Sequence, residues 1–311
     1  MRTLRSSLLA AAIVAALLAS VSVAAAQKRF DSAEAAVDAL VAAARANDRK
    51  TVLAILGPKS QELVSSGDPV EDANVKRQFL AAYDANHRIV AESGKPATLV
   101  IGPDDWPFPI PVVQKEGKWT FDAAAGREEI LARRIGRNEL AAIQASLAYY
   151  DAQNDYADQN KDGMGLPIYA QRIISTPGKK DGLYWPAGQG EPDSPLGEAV
   201  AAATQQGYKV GAGPTPFHGY YYKVLTRQGP SAPGGAVDYV VRGDMIGGFA
   251  LLAYPAKYGN SGIASFIVNN KGEVFEKDLG ADTAKIAASM TSFNPDHSWK
   301  KAATAADAEQ R

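Results

Sequence analysis

The chain contains no cysteine, which excludes disulfides, thiol nucleophiles and cysteine-ligated zinc or iron–sulfur centres. Stability must therefore come from packing. Histidine is scarce as well: His87, His218 and His297 are the only three, and none has the close spacing of a zinc-binding pair. Neither sign of charge dominates. Lys and Arg number 33 against 34 Asp and Glu, a net charge of −1, which gives no reason to expect a nucleic-acid partner. Phosphate loops, dinucleotide fingerprints and metalloprotease helices do not occur. Beyond residue 26 no apolar run reaches the ~20 residues that a spanning helix needs.

What is present begins with a leader. Residues 1–26 read as a secretory signal, with Arg2 and Arg5 in a basic segment and an apolar run from Leu8 to Leu18. Ala24-Ala25-Ala26 supplies the small residues of a cleavage site, placed after Ala26. This reading makes the mature protein periplasmic or secreted, with no transmembrane segment after cleavage.

Residues 27–125 read as a small α+β domain. Asp31 and Glu34 resemble a capping box, followed by Val37, Leu40, Val41 and Ala44 at helical spacing. A second helix is expected from Asp48 to Gly57-Pro58 and a third from about Glu71 to His87, with Val75, Phe79, Leu80 and Tyr83 facing inward. Strands follow at Ala97–Ile101, Ile110–Gln114 and Trp119–Phe121, the last two joined across Glu116-Gly117. Helices followed by antiparallel strands imply N-terminal helices on a small antiparallel sheet, as in NTF2-like or cystatin-like cones.

Residues 126–299 read as a second domain. A helix from near Gly126 to about Asp158 carries Ile135, Ile143, Leu147, Tyr150 and Tyr156 as a stripe, widened by Leu140 and Ala148. A helix of this length needs a partner surface, because propensity alone holds it weakly. Between Pro177 and Gly219, six prolines and nine glycines imply an ordered loop with one short helix, capped by Ser194 and ended by Gly207. From Gly219 an antiparallel meander is expected: Tyr220–Thr226, Val237–Arg242, Gly248–Tyr254, Ile263–Asn269 and Glu273–Asp278, closed by a helix over Asp282–Met290. The tail 300–311 is rich in alanine and charge and reads as disordered.

Four motifs carry a family resemblance: Trp106-Pro107-Phe108-Pro109-Ile110-Pro111, the run from Arg134 to Leu140, the run from Ser175 to Trp185, and Gly247 to Pro255. Through them the mature chain resembles the exported bacterial family catalogued as domain of unknown function 2950, which implies no activity. The second half also resembles pilin and pseudopilin globular heads, which pair a long helix with an antiparallel meander. A pilin helix starts at the processed N-terminus. Here the helix is internal and carries Arg133, Arg134 and Arg137, so filament assembly is not implied.

Three groups of side chains could carry chemistry. Asp158, Asn160 and Asp162, followed by Gly163, match the front of a calcium loop, although position 12 of that loop is Tyr169 and not an acid. His218, Asp238 and Ser261 occur in that order, but all fall within one meander, and Gly259–Gly262 reads as a turn. Aromatics form the third group: Trp106 and Phe108 between stiffening prolines, Tyr184 and Trp185 at the end of the Gly/Pro loop, and Tyr220 and Tyr222 on one strand. Rigid aromatics dominate binding surfaces, so these six are the candidate binding residues. The expectation is a non-enzymatic envelope binding or assembly module, its partner an envelope protein or small ligand. An envelope hydrolase and a calcium-stabilised structural protein are the alternatives.

Overall fold

The computed structural model describes residues 27–303 except 93, 162, 189, 191, 192, 212 and 213. Residues 1–26, expected as a leader, and 304–311 lie outside the described residues. Three helices open the chain: α1 (Ala33–Arg45), α2 (Arg49–Leu56) and α3 (Pro69–Ala85). Side-chain caps start all three. Ser32, one place after the expected Asp31, accepts from Ala35 N, because its short hydroxyl reaches the first free amides of α1. Asp48 accepts from Thr51 N, and Asp68 from Val70 N and Glu71 N.

The strands β1 (His87–Val90), β2 (Thr98–Ile101) and β3 (Trp106–Pro107) form an antiparallel sheet in that order. The hairpin of β4 (Val112–Lys115) and β5 (Lys118–Phe121) turns at Glu116 (φ 52°) and Gly117 (φ 72°). A bridge between Ala97 and Val112 joins hairpin to sheet. The helices close over Leu99, Ile101, Ile110, Val112 and Phe121 to make a first core.

Helix α4 (Ala123–Gln159) is 37 residues long, about 55 Å at 1.5 Å per residue. It serves both cores. Its first turns belong to the first: Ile130 packs there, and a Cβ at Gly126 would lie 2.6 Å from Pro109 O. From Ala142 onward it packs on a second core. Its buried stripe runs Arg134, Asn138, Ala142, Ser146, Tyr149, Gln153, Tyr156. Leu140, expected to widen the apolar face, is 62% exposed, since small and polar residues bring the helix against the sheet. Gln153 shows how a polar residue is used there: it donates to Tyr149 Oη (2.8 Å) and Ala170 O (2.7 Å) and accepts from Ala170 N (2.8 Å).

After α5 (Gly197–Gln205) come β6 (Tyr220–Leu225), β7 (Arg227–Gln228), β8 (Val237–Asp238), β9 (Val240–Val241), β10 (Asp244–Met245), β11 (Ala250–Pro255), β12 (Ala264–Asn269), β13 (Val274–Asp278), α6 (Thr283–Ser289), β14 (Ser292–Phe293) and β15 (Lys300–Lys301). The main sheet has the order β15-β13-β12-β11-β6 and is antiparallel throughout. Three expectations are corrected here. Val237–Arg242 is not a meander strand: it breaks at buried Tyr239 into β8 and β9, and β11 pairs directly with β6. Ser194 does not cap α5, which has no side-chain cap; Ser194 offers its carbonyl to Gly197 N (2.7 Å). Lys300 and Lys301, expected in a disordered tail, pair with β13, and Ala302 is buried beside them. No helix among the described residues is long and apolar enough to cross a membrane.

Candidate functional site

Three of the four sequence motifs are consumed by architecture. In the run from Arg134 to Leu140, each polar side chain on the inner face grips the turn between β11 and β12. Arg134 donates to Asn260 Oδ1, Asn138 Nδ2 donates to Ser261 O (2.9 Å), and Glu139 Oε1 accepts from Ile263 N (3.0 Å) and Ala264 N (2.9 Å). Arg134 also donates to Glu62 O (2.7 Å) and Leu63 O (2.6 Å), so one side chain links the segment after α2 to the turn between β11 and β12. Its guanidinium is buried among neutral oxygens, and that burial lowers its pKa from the ordinary value. The Ser175–Trp185 run closes on itself: Asp181 accepts from Thr176 N (2.7 Å) and Oγ1 (2.8 Å). Gly247–Pro255 leads into and forms β11, an interior strand of the main sheet between β12 and β6.

The same turn removes the serine. Ser261 is fully buried, accepts from Lys257 N (2.9 Å) and donates to Lys257 O (3.2 Å), while Asp238 is an exposed residue of β8. His218 faces Glu71, 3.9 Å away, where the segment before β6 meets α3. At that junction Asp68 is 1% exposed and its Oδ2 accepts from Tyr208 Oη (2.8 Å) and Gly219 N (3.0 Å).

Burial lowers the pKa of His218, opposed by the carboxylates of Glu71 and Asp68 and aided by Arg137. Tyr208 and Phe217 complete its surroundings, with ring contacts at 5.8 and 4.2 Å. Above the ordinary value of 6.5 the imidazole is neutral in both folded and unfolded chains. As pH falls through 6.5 the unfolded chain binds the proton first and gains stability relative to the folded one. His218→Asn, which suits the left-handed φ of 49°, is expected to flatten the fall in melting temperature between about pH 7.5 and 5.5. An unchanged slope in thermal melts would contradict this.

Trp106, Phe108, Pro109 and Ile110 of the fourth motif line a cavity of 910 Å³ beside the first core. That volume lies at the upper end of the ~300–1,000 Å³ typical of small-molecule sites. One wall is α1 and α2 with Leu40, Ala44 and Val52; another is α3 with Val75, Phe79 and Ala82; α4 closes it with Ile130, Arg133, Arg134 and Arg137. Val75 was expected in the core but is 40% exposed, because it borders the cavity, while Phe79 and Ala82 on the same face pack partly on the first core. Phe108 packs on Phe79 (5.3 Å between centroids), and the Arg133 guanidinium lies over the Trp106 ring at 5.0 Å.

The other aromatic candidates are elsewhere. Tyr220 (0% exposed) and Trp185 (6%) are core residues of the second domain, a correction to their reading as binding surface. Their size, which suggested a binding role, fills the space under α4 and the sheet. Tyr222 is half-buried against that core, and Tyr184 pairs through its backbone with Ile174. Among the described residues, none of 177–219 lines the cavity. Of the calcium candidates, Asp162 lies outside the described residues. The Asp158 carboxylate is exposed, 3.8 Å from Lys161 Nζ, and the Asn160 amide donates to Tyr156 O (2.7 Å). No group of three or more His, Asp or Glu among the described residues is arranged to hold a metal.

The arrangement defines an α+β protein with two cores strung on one helix and an apolar cavity in the first. The family model described as Protein of unknown function (DUF2950) matches residues 27–302. This chain belongs to that family. No curated protein and no solved structure matches it.

Proposed function

We propose that this protein is a non-enzymatic ligand-binding module of the cell envelope, with the cavity of the first domain as its site. The leader-like segment 1–26 supports the envelope setting. The observation that carries the binding reading is the face of α3. A helix in a filled domain buries its apolar residues against side chains, whereas Val75 is 40% exposed and borders, with one side of Phe79, a cavity of 910 Å³ beside Trp106 and Phe108. Apolar walls left in water gain free energy when an apolar ligand covers them. A large apolar cavity with a few polar groups on its rim is the usual form of a small-molecule site.

Titration with the neutral fluorescent probe N-phenyl-1-naphthylamine tests this. Saturable enhancement is expected with the native chain. Val75→Trp, a partly exposed position where substitution costs the fold little, is expected to weaken binding about tenfold or more by filling the mouth. Absence of saturable binding, or equal binding to a folded Val75→Trp variant, would refute the reading.

A further inference from the structure

The lining of the cavity is not electrically neutral. Five cationic side chains, Arg49, Lys76, Arg133, Arg134 and Arg137, stand against three acidic ones, Glu71, Asp72 and Asp104. Two of the acids are already engaged: Glu71 pairs with Arg137 at 3.3 Å, and Asp72 accepts from Ser66 N at 2.9 and 3.2 Å. Arg133 has Glu129 as its own partner. Arg134 donates its hydrogen bonds to the neutral oxygens of Glu62, Leu63 and Asn260, and the carboxylates of Asp72 and Glu71 act on its charge from nearby. Arg49 and Lys76 have no ion-pair partner among the described residues, and Lys76 Nζ donates only to the Asn47 side chain.

An apolar hollow with unpaired positive charge at its edge favours one kind of occupant. A neutral hydrocarbon would cover the walls and leave those charges as they are. A tail ending in an anion would cover the walls and neutralise the charges together. Charges beside apolar surface act through a lower effective dielectric than charges in open water, so the head contributes more here than on a flat surface.

Resting on the cavity as the ligand site, we infer that the ligand is an amphiphile with an aliphatic tail and a single anionic head, carboxylate or phosphate. Arg49 and Lys76 receive the head at the rim. Trp106, Phe108, Val75 and Phe79 line the path of the tail.

Competition against N-phenyl-1-naphthylamine decides it, with decanoate, decyl phosphate and decanol as chain-matched competitors, backed by direct calorimetry of each. Decanoate or decyl phosphate is expected to displace the probe at a concentration about tenfold or more below that of decanol. Whichever does so better identifies the head. The advantage is expected to shrink as salt rises. In the doubly substituted Arg49→Gln, Lys76→Gln chain the acid-to-alcohol affinity ratio is expected to fall toward one, and in Arg133→Gln to persist. Equal displacement by all three competitors would overturn the anionic head while leaving the cavity reading in place. A ratio lost in Arg133→Gln but kept in the double variant would also overturn the assignment to Arg49 and Lys76. If neither the probe nor any competitor binds, the cavity reading itself fails.

Discussion

Arg134→Met is expected to destabilise the protein by about 4 kcal/mol, a fall of roughly 10 °C in melting temperature for a chain of this size. The side chain is 9% exposed and donates to three acceptors, Glu62 O, Leu63 O and Asn260 Oδ1. Hydrogen bonds to a charged donor contribute about 1.5–3 kcal/mol each, and the orphaned carbonyls would stay buried. Relief from burying the guanidinium works in the other direction, which is why the net figure lies below the sum of the bonds. Arg134→Lys is expected to recover only part of the loss. An ammonium cannot reproduce the planar fork that reaches two successive carbonyls and an amide at once. Thermal unfolding by circular dichroism checks both variants. A methionine variant that melts with the native chain would show that the two domains do not depend on this strut.

Asp68→Ala is the second large effect, expected at roughly 3–5 kcal/mol from the lost helix cap and two buried donors left without an acceptor. Asp68 Oδ1 caps α3 through Val70 N and Glu71 N, both at 3.1 Å, while Oδ2 receives Tyr208 Oη and Gly219 N from the second domain. One carboxylate thus starts a helix and fastens the loop that leads into β6. Asp68→Asn is expected to be nearly as damaging, since its amide would turn a donor toward donors. Denaturant unfolding of the two variants measures the losses. A cost below about 1 kcal/mol for the alanine variant, the size of a surface cap alone, would contradict the junction role.

Much of the fold was legible because local chemistry and tertiary structure agree. Asp48 before α2 and the Glu116-Gly117 turn each specify a backbone state directly. Strand β1 was not legible: His87–Val90 is largely exposed at a sheet edge and lacks apolar alternation. The length of α4 could be read, but its buried face could not, because Arg134, Asn138, Ser146 and Gln153 carry no apolar signal. They are buried because their hydrogen bonds are completed by segments far away in the sequence.

The site divides in the same way. Prolines around Trp106 and Phe108 marked a stiff aromatic segment, and that segment lines the cavity. Trp185 and Tyr220 carried the same signal and are core, since an aromatic that fills space and one that borders it look alike in sequence. Val75 and Phe79 stand at ordinary helical spacing. Only the arrangement of α1, α2, α3 and α4 shows the cavity that the two residues border.

On this reading the cavity holds a small ligand between α3 and the Trp106 segment, while the core under the main sheet serves as support. Methyl NMR of the isoleucine, leucine and valine side chains during titration with N-phenyl-1-naphthylamine tests it most directly. Saturable shifts are predicted at Val75, Leu40, Ile110 and Ile130 around the cavity, with Leu251, Ile267 and Val268 of the second core unmoved. Shifts centred on the second core, or none at the cavity methyls under saturating probe, would contradict the account.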